Sequence, residues 1–512
     1  MDTWFVIVVT ICLGALIRSI LLLLKAPTTN QLPPGPSILH TTFLLLTNSP
    51  RNFEPVLVNL KAKYGPFFTL SVGFQSTIFI ASHSLAYELL VQKGAIFSDR
   101  LKSLPILNIS SAAYGPTWRL FRRNLASNIM HPSRIKSYSW ARKYVLRVLI
   151  DRLNQTQESE GKQGVKVVDH FHYTMFSLSM LLCFGEKLDE SQINEFAKAQ
   201  QEMLSAVVSG RFIVLTMFPK LGTILFRNRW KEFEKLNNNR ERILIPIINS
   251  RIDSKLSDEQ TVAYIDTLTN LNLPKEEGKM ENNQKLTKKD MVTMCSEFIS
   301  AGSDTTVTAL QWIMANLVKH PQIQKKLYDE IVSIVGLPLK GEEIKSVINE
   351  EELKKMLYLK AVVLEGLRRH PPAHLVLPHK VMKEVEVQGY VIPQGAAVNF
   401  MVGEIGLDPT VWDDPMEFKP ERFLVNDGAF DISGSRGIKM MPFGAGRRVC
   451  PGLDLALLHL EYFVANLIWY FHWGVPNGYN VDFSEKTQVT VAMKNPLRTQ
   501  LSARAENEMK VI

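Results

Sequence analysis

One cysteine stands inside the ten residues Phe443-Gly444-Ala445-Gly446-Arg447-Arg448-Val449-Cys450-Pro451-Gly452, together with three glycines and two arginines. Few folds can use such a stretch. Glycines permit left-handed turns and let the backbone approach a flat ligand closely. Pro451 suits the first position of a new helix, continuing through Asp454 to Tyr462, which leaves Cys450 at its amino end. A helix N-terminus and neighbouring arginines favour thiolate over thiol. A metal finger would need further Cys or His at short spacing, and none is there. Two readings stand: an axial ligand to iron, or an inert core cysteine. The loop around Cys450 favours the ligand.

The rest of the chain must build a scaffold for that loop. It has 512 residues, of which 46% are hydrophobic and 21% charged, a globular balance. Four cysteines exclude a disulfide-stapled scaffold and favour a reducing compartment. The net charge of +9 comes without a dense Lys/Arg block, so nucleic acid is not expected as a partner. Trp4 to Leu24 is apolar apart from Thr10, Arg18 and Ser19. At about 1.5 Å per residue it spans a hydrocarbon layer of roughly 30 Å. The start is acidic and the positive residues, from Arg18 onward, lie towards or beyond the far end of the span, which places the bulk of the chain in the cytosol. A cleaved signal peptide is the competing reading. Leu32-Pro33-Pro34-Gly35-Pro36 then predicts a stiff connector. The organisation expected is an anchor over 1–25, a hinge over 26–36 and a catalytic body over 37–512.

The pattern of the body is mainly α with small β-sheets. Residues 67–81 read as a hairpin, and helical periodicity dominates from 83 to 370. The apolar stretch 207–226 is either core or a surface dipping into a bilayer. A helix is expected from about Lys288 to Lys319, with Phe298, Ala301, Thr305 and Ala309 on one face. Inside it lies Ala301-Gly302-Ser303-Asp304-Thr305-Thr306, where an acid and two threonines are unusual; a cap between two shorter helices is the bland alternative. Glu365 and Arg368 share a helical face at i, i+3, as do Trp118 and Arg122 at i, i+4. Surface ion pairs of that kind are commonplace. His370 and His374 are separated by two prolines, which removes a zinc-binding helix face. His170 and His172 lack an evident third ligand and read as core or surface.

F-x-x-G-x-R-x-C-x-G, matched at Phe443, Gly446, Arg448, Cys450 and Gly452, resembles the haem-binding signature of the cytochrome P-450 superfamily. The resemblance implies that fold behind a single N-terminal transmembrane helix, with haem b as cofactor. It makes Cys450 the axial ligand of the iron and Arg448 a clamp on a haem propionate. Trp118 and Arg122 resemble the W-x-x-x-R helix and would address one propionate together; His379 takes the place of a further propionate contact. Asp304 and Thr305 resemble the acid–alcohol pair that passes protons to oxygen, in a helix loosened there to admit dioxygen and water. Glu365, Arg368 and Arg422, from E-x-x-R and Pro420-Glu421-Arg422-Phe423, resemble a buried structural triad.

The AGSDTT, PERF and FGAGRRVCPG segments look like plant microsomal enzymes of the A type. LQWIMANLVKHP and LHLEYFVANLIWYF resemble the plant family numbered eighty-nine. The implied activity is a monooxygenase of the endoplasmic reticulum membrane acting on a lipophilic small molecule. Its partners would be an NADPH-cytochrome reductase, cytochrome b5, membrane lipid and O2. Parts of 100–115, 207–226, 374–379 and the helix near Phe298 would line the substrate pocket. No Rossmann or P-loop fingerprint occurs, so electrons must come from the partner. A peroxide isomerase or dehydratase, or a haem protein without turnover, is the alternative.

Overall fold

In the computed structural model, residues 32–504 are described apart from 49–52, 73–74, 102–105, 161–162, 213–214, 216–221, 223, 255–260, 275–284, 339–346 and 425–429; Gly14 is the one earlier residue described. The expected anchor, Gly14 apart, and parts of 207–226 therefore lie outside the described residues. Among the described residues no helix is long and apolar enough to cross a membrane.

The chain folds into two compact units, and the first is discontinuous in sequence: Met1–Leu101 with Leu375–Met401. Its helices α1 (Ile38–Thr47) and α2 (Glu54–Tyr64) precede β1 (Phe67–Val72) and β2 (Gln75–Ile80). The predicted hairpin forms, antiparallel, with Phe67 opposite Ile80. β3 (Asp99–Arg100), β4 (His379–Lys380) and β5 (Ala397–Phe400) complete a sheet of order β1-β2-β5-β4-β3. The β2–β5 pairing is parallel, with Thr77 opposite Ala397. Leu57 and Leu60 of α2 pack on Phe68, Leu70 and Phe79, burying the apolar face of the sheet. The proline connector is not a free spacer. Thr69 N–H donates to Pro34 O at 2.9 Å, and a Cβ on Gly35 would fall 1.9 Å from Thr69 O, so only glycine allows this approach to β1.

The second unit comprises Lys102–His374 and Val402–Ile512. Its frame is α3 (Pro116–Asn128), α4 (Val167–Phe184), α5 (Lys288–Lys319), α6 (Leu357–Arg369) and α7 (Leu453–Tyr470). α5 has the predicted bounds because Thr287 and Asp290 form a capping box at its start. Trp312, Ile313 and Leu317 of α5 meet Leu178 and Leu181 of α4, Val362 of α6 and Phe463 and Leu467 of α7 in one core. Gly366 lets α6 lie against α5: a Cβ there would meet Ile313 Cγ1 at 2.3 Å.

Candidate functional site

The cysteine loop is built on backbone bonds. Cys450 N–H donates to Phe443 O at 2.9 Å, closing the loop, and Gly444 N–H donates to Met441 O at 2.9 Å. Gly444 and Gly446 both sit at φ +68°, where a side chain would be strained. Residues Gly446–Arg448 make a 3₁₀ turn. α7 starts at Leu453 with Gly452 as its cap, later than the Pro451 start expected from sequence. Gly452, at φ −93° and ψ 17°, lies outside the helical region, with its N–H turned back to the Cys450 sulfur. Burial pushes the Cys450 thiol up, against the pull of that N–H and of Arg122. The expected thiolate is therefore not made by helix and arginines alone. Coordination of a cation would complete the deprotonation.

Arg122 and Trp118 of α3 reach the cysteine loop at two separate points. Arg122 Nη1 donates to Val449 O at 2.7 Å. Trp118, buried, lies under the guanidinium of Arg448, whose carbon is 4.5 Å from the indole centroid. Arg448 donates to Ala112 O at 2.7 Å and to Ile109 O at 3.3 Å. The same 109–112 segment is held from the other side by Glu297 of α5, whose carboxylate accepts from Ile109 N–H at 2.9 Å and Ser110 N–H at 2.8 Å. Burial raises the Glu297 pKa in spite of these bonds. Sequence reasoning missed Glu297. An acid between Cys295 and Ile299, in an apolar run of a core helix, was the available signal. Arg119 and Arg447 gather on Tyr114: their guanidinium carbons lie 5.1 and 5.6 Å from its ring, and Arg447 donates to its hydroxyl.

α5 stays one helix through 301–306, so the alternative of a cap between two shorter helices does not hold. The hydroxyls of Ser303, Thr305, Thr306 and Thr308 bond back to the carbonyls four residues earlier, at 2.7 to 2.9 Å, and so cost the helix no ladder bond. Ala301, Gly302 and Thr305 are exposed in the middle of a helix otherwise mostly buried. The predicted face is only half realised, since Phe298 stacks on Tyr264 at 4.7 Å and Ala309 is buried. Asp304 is nearly covered, and burial pushes its pKa up to about 6.

The triad closes. Arg368 donates to both oxygens of Glu365, at 2.6 and 2.8 Å, and Arg422 Nε adds a bond at 3.1 Å. Lys419 N–H also donates to Glu365, at 2.8 Å. Arg368 spends further donors on the carbonyls of Gly406, Pro415 and Glu417. Its guanidinium lies over Trp412, whose indole N–H donates to Lys439 O at 3.2 Å, just before the cysteine loop. His379 belongs to the first unit, where its Nδ1 is 2.5 Å from Phe97 O. His370 is a core residue, stacked 4.1 Å from Trp312, and burial lowers its pKa to about 4. Among the described residues no group of His, Cys, Asp and Glu could hold a bare metal ion.

These surroundings suit a flat, iron-bearing cofactor. They offer a half-buried cysteine in a glycine-shaped loop with arginines beside it, while α5 separately exposes Ala301, Gly302 and Thr305. A family model described as Cytochrome P450 matches residues 33–503. Cytochrome P450 89A9 of Arabidopsis thaliana is 44% identical, the match covering 93% of this chain and 94% of that one. Geraniol 8-hydroxylase of Catharanthus roseus is 30% identical over 92% of this chain and 94% of its own. A zebra fish cytochrome P450 solved with progesterone has the same fold: TM-score 0.71, 22% identity, and coverage of 88% of this chain and 99% of that one.

Proposed function

The chain belongs to the cytochrome P450 family, whose cofactor is haem, and from that premise we propose a membrane-anchored monooxygenase that transfers one oxygen atom of O2 to a lipophilic small molecule. The electrons come from NADPH through a separate reductase in the same membrane, with cytochrome b5 as a second donor. The span at Trp4–Leu24 would hold the enzyme in the endoplasmic reticulum, its body in the cytosol. A relative named for hydroxylating geraniol supports a lipophilic plant metabolite as substrate. The single observation that carries the reading is Cys450, half-buried in a loop closed by its own backbone.

Haem bound through a cysteine thiolate supplies oxygen activation, the thiolate pushing electron density toward the iron. The chain's own residues do the rest. Cys450 ligates, and the Gly452 N–H and the Arg122 charge favour its anionic form. Arg448, fixed by the Ile109 and Ala112 carbonyls and Trp118, would hold a propionate, and Arg122 and Trp118 would address one propionate together. His379 is assigned a propionate by its Pro-His-Lys context alone. Asp304 exchanges protons near pH 6, and Thr305 presents a hydroxyl one residue on. Glu365, Arg368 and Arg422 hold the approach to the cysteine loop. Exposed Arg119, Arg123, Lys439 and Arg447 would receive an acidic reductase domain. A peroxide-rearranging enzyme needs no acid–alcohol pair, so Asp304 and Thr305 favour the monooxygenase.

The test is spectroscopic. The reduced protein with carbon monoxide should show the red-shifted Soret band of thiolate-ligated haem, and Cys450→Ser should lose it. Retention of the band in that variant overturns the ligand assignment. Product formation that persists without NADPH and O2 overturns the reaction class. Exchanging Arg123 and Lys439 for Glu should slow reduction by the reductase at low salt and leave dithionite reduction unchanged.

A further inference from the structure

His172 of α4, which sequence alone gave no role, faces the segment of α5 that carries the acid–alcohol pair. Its Nδ1 is 3.9 Å from Asp304 Oδ1. That gap is too long for a direct hydrogen bond and is the span of one bridging water. The two side chains differ in access: His172 is 46% exposed and Asp304 only 17%. Asp169, one turn earlier on α4, is largely exposed and pairs with Lys166 at 2.9 Å, so the face that carries His172 begins at the surface. Among the described residues no other cationic side chain lies within 4.0 Å of the Asp304 carboxylate. Thr308 bonds to the Asp304 backbone oxygen, not to the side chain.

We propose that His172 is the proton port of the site, refilling Asp304 from solvent through one bridging water. The inference rests on the proton-delivery role proposed above for Asp304 and Thr305. The step balances: solvent protonates Nε2 as Nδ1–H gives its proton to the water, the water gives one to Asp304 Oδ1, and a flip of the neutral ring restores an N–H toward Asp304. Burial makes His172 a weaker base than usual, opposed by Asp169 and helped by Lys166, so the imidazolium releases its proton readily. The acceptor is well matched, because burial alone raises Asp304. His172 touches neither substrate nor cofactor in this scheme; it acts through Asp304.

The experiment compares full-length, haem-loaded parent with His172→Gln, His172→Asn, Asp304→Asn and Thr305→Ala, using a substrate found by spectral titration. Haem content and the carbon monoxide band report folding, and the two His172 variants guard against failure of one. At about pH 8 His172→Gln should raise hydrogen peroxide released per NADPH by about two- to fivefold. The excess should shrink near pH 6, where bulk acid reaches Asp304 without the port. A second readout is the infrared carbonyl band of protonated Asp304, identified by its loss in Asp304→Asn: its titration midpoint should move in His172→Gln. Unchanged peroxide yield and midpoint in both His172 variants overturn the port. If Asp304→Asn and Thr305→Ala release peroxide while the His172 variants do not, the port falls and the monooxygenase reading stands. If none of the four does, the roles of Asp304 and Thr305 fall with it.

Discussion

Glu365 and Asp304 are carboxylates of the same unit, drawn from helices that pack on each other, yet they are treated in opposite ways. Glu365 is fully buried and accepts from two arginines and a backbone N–H, with Arg368 in turn saturated by three carbonyls. Asp304 has an imidazole at 3.9 Å and otherwise only burial acting on it, which lifts its pKa to about 6. A saturated buried charge is held in one geometry. An undersatisfied one is held at a cost and can change state at neutral pH. The first is architecture and the second is chemistry.

The contrast breaks most visibly at Glu365. Glu365→Ala leaves the guanidinia of Arg368 and Arg422 buried without their anion, an expected loss of about 3–5 kcal/mol in urea unfolding together with loss of bound haem. A folded, haem-loaded Glu365→Ala protein would end the architectural assignment. Gly366→Val asks whether the helix that carries the pair must lie where it does. Its side chain would collide with Ile313, and about 1–3 kcal/mol of destabilisation is expected by the same measurement.

Asp304→Asn sharpens the comparison through its opposite sign. The pKa of Asp304 is higher in the folded protein, about 6, than in an unfolded chain, about 3.9. The folded state therefore binds more protons between those values, and this stabilisation is complete below pH 4 and lost as pH rises through 6. At pH 7 the asparagine variant should be more stable than the parent by up to about 3 kcal/mol, the gap closing toward pH 4. A variant less stable at pH 7 would show that the carboxylate is satisfied after all. The smallest effect is expected at Thr308→Val, which removes the hydroxyl pairing with Thr490 at 2.7 Å. About 0.5–1.5 kcal/mol should be lost, without extra peroxide release.

What was legible in the sequence followed how local the cause is. The bounds of α5 are set by a capping box and a periodic apolar face, both readable in one window. The cysteine loop is legible because its glycines and proline impose its turns. The triad was half legible: Glu365 and Arg368 are one turn apart, whereas their burial depends on carbonyls from 406 to 417. Long-range contacts left no such mark. Glu297 binds a segment nearly two hundred residues away, and His172 meets Asp304 only because α4 packs along α5. α5 runs on through Gly302 because the side-chain hydroxyls there bond back within the helix. The division into two units has no linker to announce it, since Leu375–Met401 returns to complete a sheet begun before residue 101.

The connector strapped along β1 has a consequence for life at high local concentration. β1 is an edge strand, and an exposed edge invites pairing with the edge of another molecule. Here the outward-facing Thr69 amide is already taken by Pro34, and a segment with prolines at 33, 34 and 36 has few amides with which to continue a ladder. The opposite edge is β3, only two residues long. One margin of the sheet is partly occupied and the other is short, and both features disfavour recruitment of another strand.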